Sequence, residues 1–132
     1  MSTDRQVTER SEIIASVKQS LESRGATVEI SAVLRGRSKT KHVFDIVIAK
    51  NGRKVPIDIK LADSEAVELR EVLETYAKSL DTGSKPTVVV AVPAASSEAR
   101  RSATAFGIIL VEGEGRGQVV ERLDLALEGL IG

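Results

Sequence analysis

The segment from His42 to Lys60, which reads HVFDIVIAKNGRKVPIDIK, constrains this chain more than any other. Its centre holds the dipeptide Asn51-Gly52. This pair is the strongest short-range signal for a two-residue hairpin loop, because a type I′ turn needs positive φ at both central residues. With that loop, the residue numbers of paired positions add up to 103. The sequence therefore predicts two antiparallel strands in one defined register.

This register separates apolar from acidic side chains. One face carries only apolar pairs, namely Phe44–Ile59, Ile46–Ile57 and Ile48–Val55. On the other face Asp45 lies opposite Asp58, and Lys60 shares the face of Asp58 because side chains alternate along a strand. A slip by one residue would mix the two faces, so the register is well specified. Pro56 lacks a backbone donor and predicts an edge position or a bulge in the second strand.

The facing carboxylates predict a metal site. Like charges directly opposite each other destabilise a sheet, and a divalent cation between them would remove that penalty. Mg²⁺ and Mn²⁺ prefer oxygen ligands and keep several waters, and such an ion polarises a phosphoryl oxygen and lowers the pKa of a bound water. Lys60 would orient that water or stabilise the charge of the transition state. We therefore predict Asp45 and Asp58 as Mg²⁺ or Mn²⁺ ligands and Asp45, Asp58 and Lys60 as catalytic residues; the alternative is an acid pair on a solvated hairpin.

Composition limits the class of protein. With 132 residues and 42% hydrophobic content, the chain is long enough for one domain with its own core. The absence of cysteine excludes disulfides and thiolate metal sites. No run of 18 apolar residues and no signal peptide occurs, so we expect a soluble cytoplasmic protein without a membrane partner.

Charge is spread unevenly along a chain whose formal net charge is +0. The segment RGRSKTKH, residues 35–42, is basic and contains no acid, and it directly precedes the strand that carries Asp45. We predict that it binds DNA phosphates, the alternative being a solvated loop. Aromatic residues make up only 2% of the chain, which excludes a stacking platform for single strands and favours duplex or branched DNA. The predicted nucleic-acid-binding residues are Arg35, Arg37, Lys39, Lys41 and His42.

The remaining elements follow from hydrophobic periodicity. Residues 4–24 predict a helix with a stripe of Val7, Ile14, Val17 and Leu21, and alternation over residues 28–34 predicts a strand before the hairpin. A second helix is predicted over residues 64–80, with the stripe Ala66, Leu69, Leu73, Tyr76 and Leu80. The apolar runs TVVVAV and IILV predict two buried strands, separated by a helix that Ser96 or Ser97 caps and Gly107 ends.

This order predicts an α/β fold with a mixed central sheet, an antiparallel meander followed by β-α-β, flanked by helices. Residues 1–132 form a single domain, with 113–132 as a C-terminal helical appendage. The last helix, with Val120, Leu123 and Leu127, packs on its own sheet or, alternatively, forms a subunit contact in a homodimer. Gly113, Gly115 and Gly117 resemble a dinucleotide-binding loop. The third motif glycine is replaced by Gln118, which favours a simple connector.

These features resemble a known family. A helix, a meander that carries Asp45 and then Asp58-x-Lys60, and a following helix-strand-helix-strand are similar to the PD-(D/E)xK, or restriction-endonuclease-like, nucleases. The likeness covers residues 4–111 and is greatest to small archaeal Holliday-junction resolvases and Mrr-type domains. It implies a restriction-endonuclease-like fold and Mg²⁺-dependent cleavage of DNA phosphodiesters, including branched or repair DNA. It assigns Asp45 as the first acid, Asp58 as the second and Lys60 as the motif lysine.

The chain also departs from the family pattern. Phe44 stands where the motif has proline, and Asp58 replaces the commoner glutamate, which shortens its reach by one methylene. Resolvases use an acid on the first helix, but Glu12, the nearest candidate, lies opposite the apolar stripe and is expected to face solvent. Two functions therefore remain: a metal-dependent endonuclease, or a non-catalytic module on the same scaffold that binds DNA or a partner protein.

Overall fold

The protein is described here by a computed structural model that covers residues 4–131. Five strands form one sheet in the order β1-β2-β3-β4-β5, antiparallel from β1 to β3 and parallel from β3 to β5. The predicted α/β fold with a mixed sheet flanked by helices is confirmed. In chain order the elements are α1 (Asp4–Ser23), β1 (Thr27–Arg35), β2 (Lys41–Lys50), β3 (Arg53–Leu61), α2 (Leu69–Thr82), β4 (Val88–Val92), α3 (Ser97–Phe106), β5 (Ile109–Glu112) and α4 (Arg116–Ile131).

The hairpin has the predicted register from its loop to Ile46 and Ile57, but the predicted pair of Asp45 opposite Asp58 lies beyond the end of the ladder. Pairs run from Ile46–Ile57 to Lys50–Arg53, and the loop residues Asn51 and Gly52 have φ of 54° and 77°. The bulge suggested for Pro56 is absent from this ladder, since Pro56 pairs with Val47 in register. The parallel ladder with β4 begins only at Ile57, so the missing N–H of Pro56 falls where β3 has no neighbour on that side.

Strand β3 changes neighbours halfway along its length. Its ladder with β2 ends at Ile46–Ile57, and from Ile57 to Leu61 it pairs with β4 instead. The first half of β2 is meanwhile paired with β1. Strands β2 and β3 therefore part just beyond Ile46 and Ile57, at a place that we call the fork. Asp45 and Asp58 are the first residues of the two strands past it.

The prediction that Phe44 shares an apolar face with Ile59 is wrong. Ile46 and Ile59 belong to the main core, whereas Phe44 packs in a separate cluster with Ala32 and Val47. The regular alternation of faces breaks at Asp45. In the β1–β2 register Asp45 would face Ser31, but that position forms no ladder pair and Ser31 has a φ of 51°.

Helices α1 and α4 cover one face of the sheet. Each helix buries one stripe of apolar residues against the sheet, including Leu21 in α1 and Leu123 in α4. The stripe predicted for α1 is wrong at Val7, which is 55% exposed. The segment 113–132, expected as an appendage, contains a helix that helps to build the main core. Leu123 and Leu127 are buried within their own chain, so they are not free to form a subunit contact. The buried residues of these helices are Ile13, Val17, Leu21, Val119, Leu123, Leu127 and Ile131.

Helices α2 and α3 cover the other face. Helix α2 begins at residue 69, five residues later than predicted, and its predicted stripe is wrong because Leu73 and Leu80 are exposed. The buried face of α2 consists instead of Val72, Thr75 and Ser79. Two of these three are polar, so hydrophobic periodicity could not identify the face. Helix α3 begins and ends as predicted, with Ser96 Oγ accepting from the N–H of Ala99 and Gly107 in the left-handed conformation. Across residues 4–131 no helix combines the length and apolar character needed to cross a membrane.

A substitution of Gly52 tests the hairpin turn, with a substitution of Gly129 in α4 as the comparison. Gly52→Ala should destabilise the protein by about 1 kcal/mol, because an L residue is strained at the left-handed φ of Gly52. Gly129→Ala, at an exposed position in α4 with no atom within 4 Å of the added Cβ, should instead stabilise it by up to about 1 kcal/mol. Urea unfolding of both variants measures the two signs, and a stabilised Gly52→Ala would contradict the type I′ turn.

Candidate functional site at the fork

The two acids predicted as metal ligands are held at the fork by reciprocal hydrogen bonds. The N–H of Asp45 donates to Oδ1 of Asp58 at 3.1 Å, and the N–H of Ile59 donates to Oδ2 of Asp45 at 2.7 Å. Each carboxylate thus accepts from the backbone of the other strand, where the regular ladder has ended. The two carboxylates therefore serve as the polar contact between strands that are already separating.

Asp58 is the buried member of the pair. Only 2% of it is exposed, and its Oδ2 accepts from the hydroxyl of Thr75 and the ammonium of Lys78, both on α2 and both at 2.6 Å. Lys78 also donates to the carbonyl of Val43 at 2.7 Å and lies 4.5 Å from the centre of the Phe44 ring. This cation–π contact accounts for the position of Phe44 away from the main core.

Asp45 is half-buried and has a different counter-ion. Nη1 of Arg10, from α1, lies 3.3 Å from Oδ2 of Asp45 and also donates to the carbonyl of Ile59. Burial raises the pKa of Asp45 above its ordinary value, and the charge of Asp58 adds to the rise. The hydrogen bond from Ile59 and the charges of Arg10 and Lys60 lower the pKa, but they do not cancel the effect of burial.

The ammonium of Lys60 is directed to α2. It donates to Oε2 of Glu74 at 3.1 Å, and the Lys60 side chain is only 16% exposed. Three acids and three cations thus lie at or beside the fork, joined in three ion pairs. The acids are Asp45, Asp58 and Glu74, and the cations are Arg10, Lys60 and Lys78.

The donor set at the fork is chemically suited to a small hard cation. Carboxylate oxygens are the ligands that Mg²⁺ and Mn²⁺ prefer, and Asp45 offers two of them, of which Oδ2 already accepts from Arg10 and from the N–H of Ile59. In the part of the chain that the structure describes, no three or more His, Cys, Asp and Glu side chains gather as a metal-binding group. An ion at the fork would therefore be held by Asp45 and Asp58 and complete its shell with water, as Mg²⁺ commonly does.

The basic loop between β1 and β2 is fastened to the end of α2 by Asp81. The Asp81 carboxylate accepts from the N–H and hydroxyl of Ser38 at 2.9 and 2.6 Å and from Nε2 of His42 at 2.7 Å. The hydrogen bonds from Ser38 and then His42 lower the pKa of Asp81 to about 2. A Cβ at Gly36 would lie 1.9 Å from Oδ2 of Asp81, so any other residue there would have to displace the Asp81 carboxylate. His42, predicted to bind DNA, is thus placed as an anchor of the loop.

The other four residues predicted to bind DNA project from this anchored loop. Each of them is exposed, and within residues 4–131 none forms an ion pair with an acid. Helix α2 links the loop to the fork, since Thr75 and Lys78 contact Asp58 while Asp81 lies one turn further on. The four residues are Arg35, Arg37, Lys39 and Lys41.

Sequence reasoning missed five residues that shape this site, one of which is Glu74, the partner of Lys60. Thr75, Lys78 and Asp81 belong to a helix whose buried face was misassigned, and their i, i+3, i+6 spacing on one side of α2 was the available signal. Arg10 was missed because only acids were sought on α1. Glu12, expected to face solvent, is indeed exposed and does not contact the fork.

The raised pKa of Asp45 makes a pH-dependent prediction. Because the native pKa lies above the ordinary 3.8, the ionised carboxylate lowers stability. The contribution of Asp45 to stability should then be most favourable below pH 3.8 and should fall as pH rises from 3.8 through the native pKa. In metal-free buffer, Asp45→Asn should melt at a higher temperature than wild type at pH 7, with the difference closing below pH 3.8. Asp63→Asn, an exposed control, should match wild type throughout; a lower melting temperature for Asp45→Asn at pH 7 would contradict the prediction.

Comparison with known proteins supports the architecture. No protein-family model matches the sequence, and no curated protein matches it. Among solved structures, a protein of unknown function, AF1548, is similar with a TM-score of 0.64 and 23% sequence identity. The match covers 74% of this chain and 56% of AF1548, so this chain spans little more than half the length of that protein. A likeness at this identity concerns the fold alone.

Proposed function

We propose that the chain is a metal-dependent DNA endonuclease with a restriction-endonuclease-like fold, which hydrolyses phosphodiester bonds at the fork. The observation that carries the proposal is the position of Asp45 and Asp58 at the parting of β2 and β3, with Lys60 two residues along β3. The reciprocal hydrogen bonds fix each carboxylate against the backbone of the opposite strand, and a reaction centre needs groups that are held in position.

The chemistry assigns a role to each residue. Asp45 and Asp58 would hold Mg²⁺ or Mn²⁺, and a bound ion of this kind polarises a phosphoryl oxygen and makes water a better nucleophile. Lys60 leaves Glu74 to stabilise the negative charge that builds on the phosphoryl group. Arg35, Arg37, Lys39 and Lys41 bind phosphates on either side of the cleaved bond. Because Asp81 anchors their loop to α2, the binding surface and the fork keep a fixed relation.

A second function, a non-catalytic DNA- or protein-binding module, is favoured by one specific observation. Both acids already have a cationic partner, Arg10 for Asp45 and Lys78 for Asp58. A site whose charges are balanced internally attracts a divalent ion less strongly than a bare acid pair would. In this case the exposed cations of the loop would bind DNA, and the fork would serve only as a structural contact.

Metal binding and cleavage separate these two functions. Mg²⁺ should raise the melting temperature of wild type but not of Asp45→Asn, since a ligand stabilises only the state that binds it. Incubation with linear, nicked and four-way-junction DNA in Mn²⁺ should give cleavage. Lys60→Ala should slow that cleavage by about 10²–10³-fold while leaving the metal-induced shift in place.

Lys54→Ala is the matched control, because Lys54 is an exposed lysine at the other end of β3. This variant should cleave DNA at the wild-type rate. Cleavage that persists in both Asp45→Asn and Lys60→Ala would place the activity elsewhere. A wild-type protein that binds DNA without any metal-induced shift or cleavage would establish the non-catalytic module.

The basic loop makes a prediction about salt. Four cations neutralise up to about four phosphates, so the logarithm of DNA affinity should fall against the logarithm of salt concentration with a slope of roughly −3 to −4. Replacing Lys39 and Lys41 together with alanine should reduce the slope by about 2. The double variant Lys54→Ala, Arg116→Ala, which removes two exposed cations from other surfaces, should leave it unchanged. Fluorescence anisotropy across a salt series measures this; equal slopes for all three proteins would mean that the loop is merely solvated.

A further inference from the structure

Two cations from opposite sides of the sheet compensate the acid pair, and they are held very differently. Lys78 is 21% exposed and has three partners, namely the Asp58 carboxylate, the Val43 carbonyl and the Phe44 ring. Asp58 itself accepts from Lys78, Thr75 and the backbone of Asp45. Removing the Lys78 ammonium would therefore break several buried contacts at once, so this ion pair is part of the fold.

Arg10 has fewer partners than Lys78, and its guanidinium contacts both strands of the fork. Its side chain is 35% exposed, and the described contacts of its guanidinium are those of Nη1 with Oδ2 of Asp45 and the carbonyl of Ile59. These two oxygens come from strands β2 and β3, on either side of the fork. A single cationic nitrogen thus bridges a carboxylate and a carbonyl, which are the two classes of protein oxygen that hard metal ions bind.

We propose that Arg10 is an internal competitor for the cation site, whose guanidinium must leave Asp45 and the Ile59 carbonyl before a divalent ion binds there. The proposal rests on the proposed function insofar as the ion serves catalysis, but it concerns metal affinity and not turnover. Lys78 stays in place when the ion enters, because it contacts Oδ2 of Asp58, whereas Oδ1 is the oxygen that meets the Asp45 strand. Arg10 thus sets the concentration of divalent ion at which the fork becomes occupied.

Metal titration of the full chain tests this directly. Isothermal titration with Mn²⁺ should give a dissociation constant for Arg10→Met that is at least about tenfold lower than for wild type, because a competing charge is gone. Arg10→Lys, which keeps the charge, should remain close to wild type. Arg5→Met is the matched control: it removes an exposed cation from the same helix, one that is absent from the fork, and should change affinity by less than about twofold.

A measurement on the wild type avoids dependence on any variant that folds poorly. With ¹⁵N-labelled arginine, the Nε–H signal of Arg10 should shift on titration with diamagnetic Mg²⁺, with a midpoint at the Mg²⁺ dissociation constant that calorimetry gives for the same ion. The Arg5 signal should not move. An Arg10 signal that stays fixed while Mg²⁺ binds would overturn the proposal, as would equal or weaker Mn²⁺ binding by Arg10→Met.

The outcomes also distinguish this inference from the endonuclease proposal. If wild type cleaves DNA but Arg10→Met binds metal no more tightly, the competitor role fails and the endonuclease stands. If wild type neither binds metal nor cleaves while Arg10→Met gains Mn²⁺ binding, Arg10 is a competitor that keeps the wild-type chain inactive, and the endonuclease proposal fails. If neither protein binds metal, both are overturned.

Discussion

The fork depends on two hydrogen bonds between the strands, one from the N–H of Asp45 to the Asp58 carboxylate and one from the N–H of Ile59 to the Asp45 carboxylate. Strand β3 leaves β2 to pair with β4, so backbone groups near the parting lose their ladder partners. A buried N–H without a partner is costly, and here the two carboxylates accept from the N–H groups of Asp45 and Ile59. The same contact that closes the gap in the sheet also places two acids side by side. The mixed topology and the candidate site therefore have one physical origin.

Helix α2 connects the fork to the basic loop at the surface. Its inner face is polar at Thr75 and Lys78, which neutralise and orient Asp58, and the next turn carries Asp81, which captures the basic loop. A buried ionised carboxylate is stable only when it is paired and hydrogen-bonded, so α2 could not present a purely apolar stripe here. The exposure of Leu73 and Leu80 follows, because the helix is rotated to bring its polar residues inward.

Without a bound ion, the negative charges of the two carboxylates at the fork are balanced by side chains. The two carboxylates draw a cation from each flanking helix, Arg10 from α1 and Lys78 from α2. The buried pair with Lys78 is structural. The half-exposed pair with Arg10 requires less free energy to separate, since exposed ion pairs contribute little to stability. A divalent ion and Arg10 would contend for the same oxygens.

The sequence alone determined the features that depend on local geometry. Asn51-Gly52 set the hairpin register, Ser96 and Gly107 set the limits of α3, and the order of apolar runs predicted the mixed sheet. Those signals are local, since turn and cap conformations are decided by a few neighbouring residues. Only the tertiary structure decided the reversal of faces at Asp45, the inward rotation of α2, the inclusion of α4 in the core and the pairing of Arg10 with Asp45. Each of these joins residues far apart in the chain, and burial of a charge overrides the periodicity that predicts a helix face.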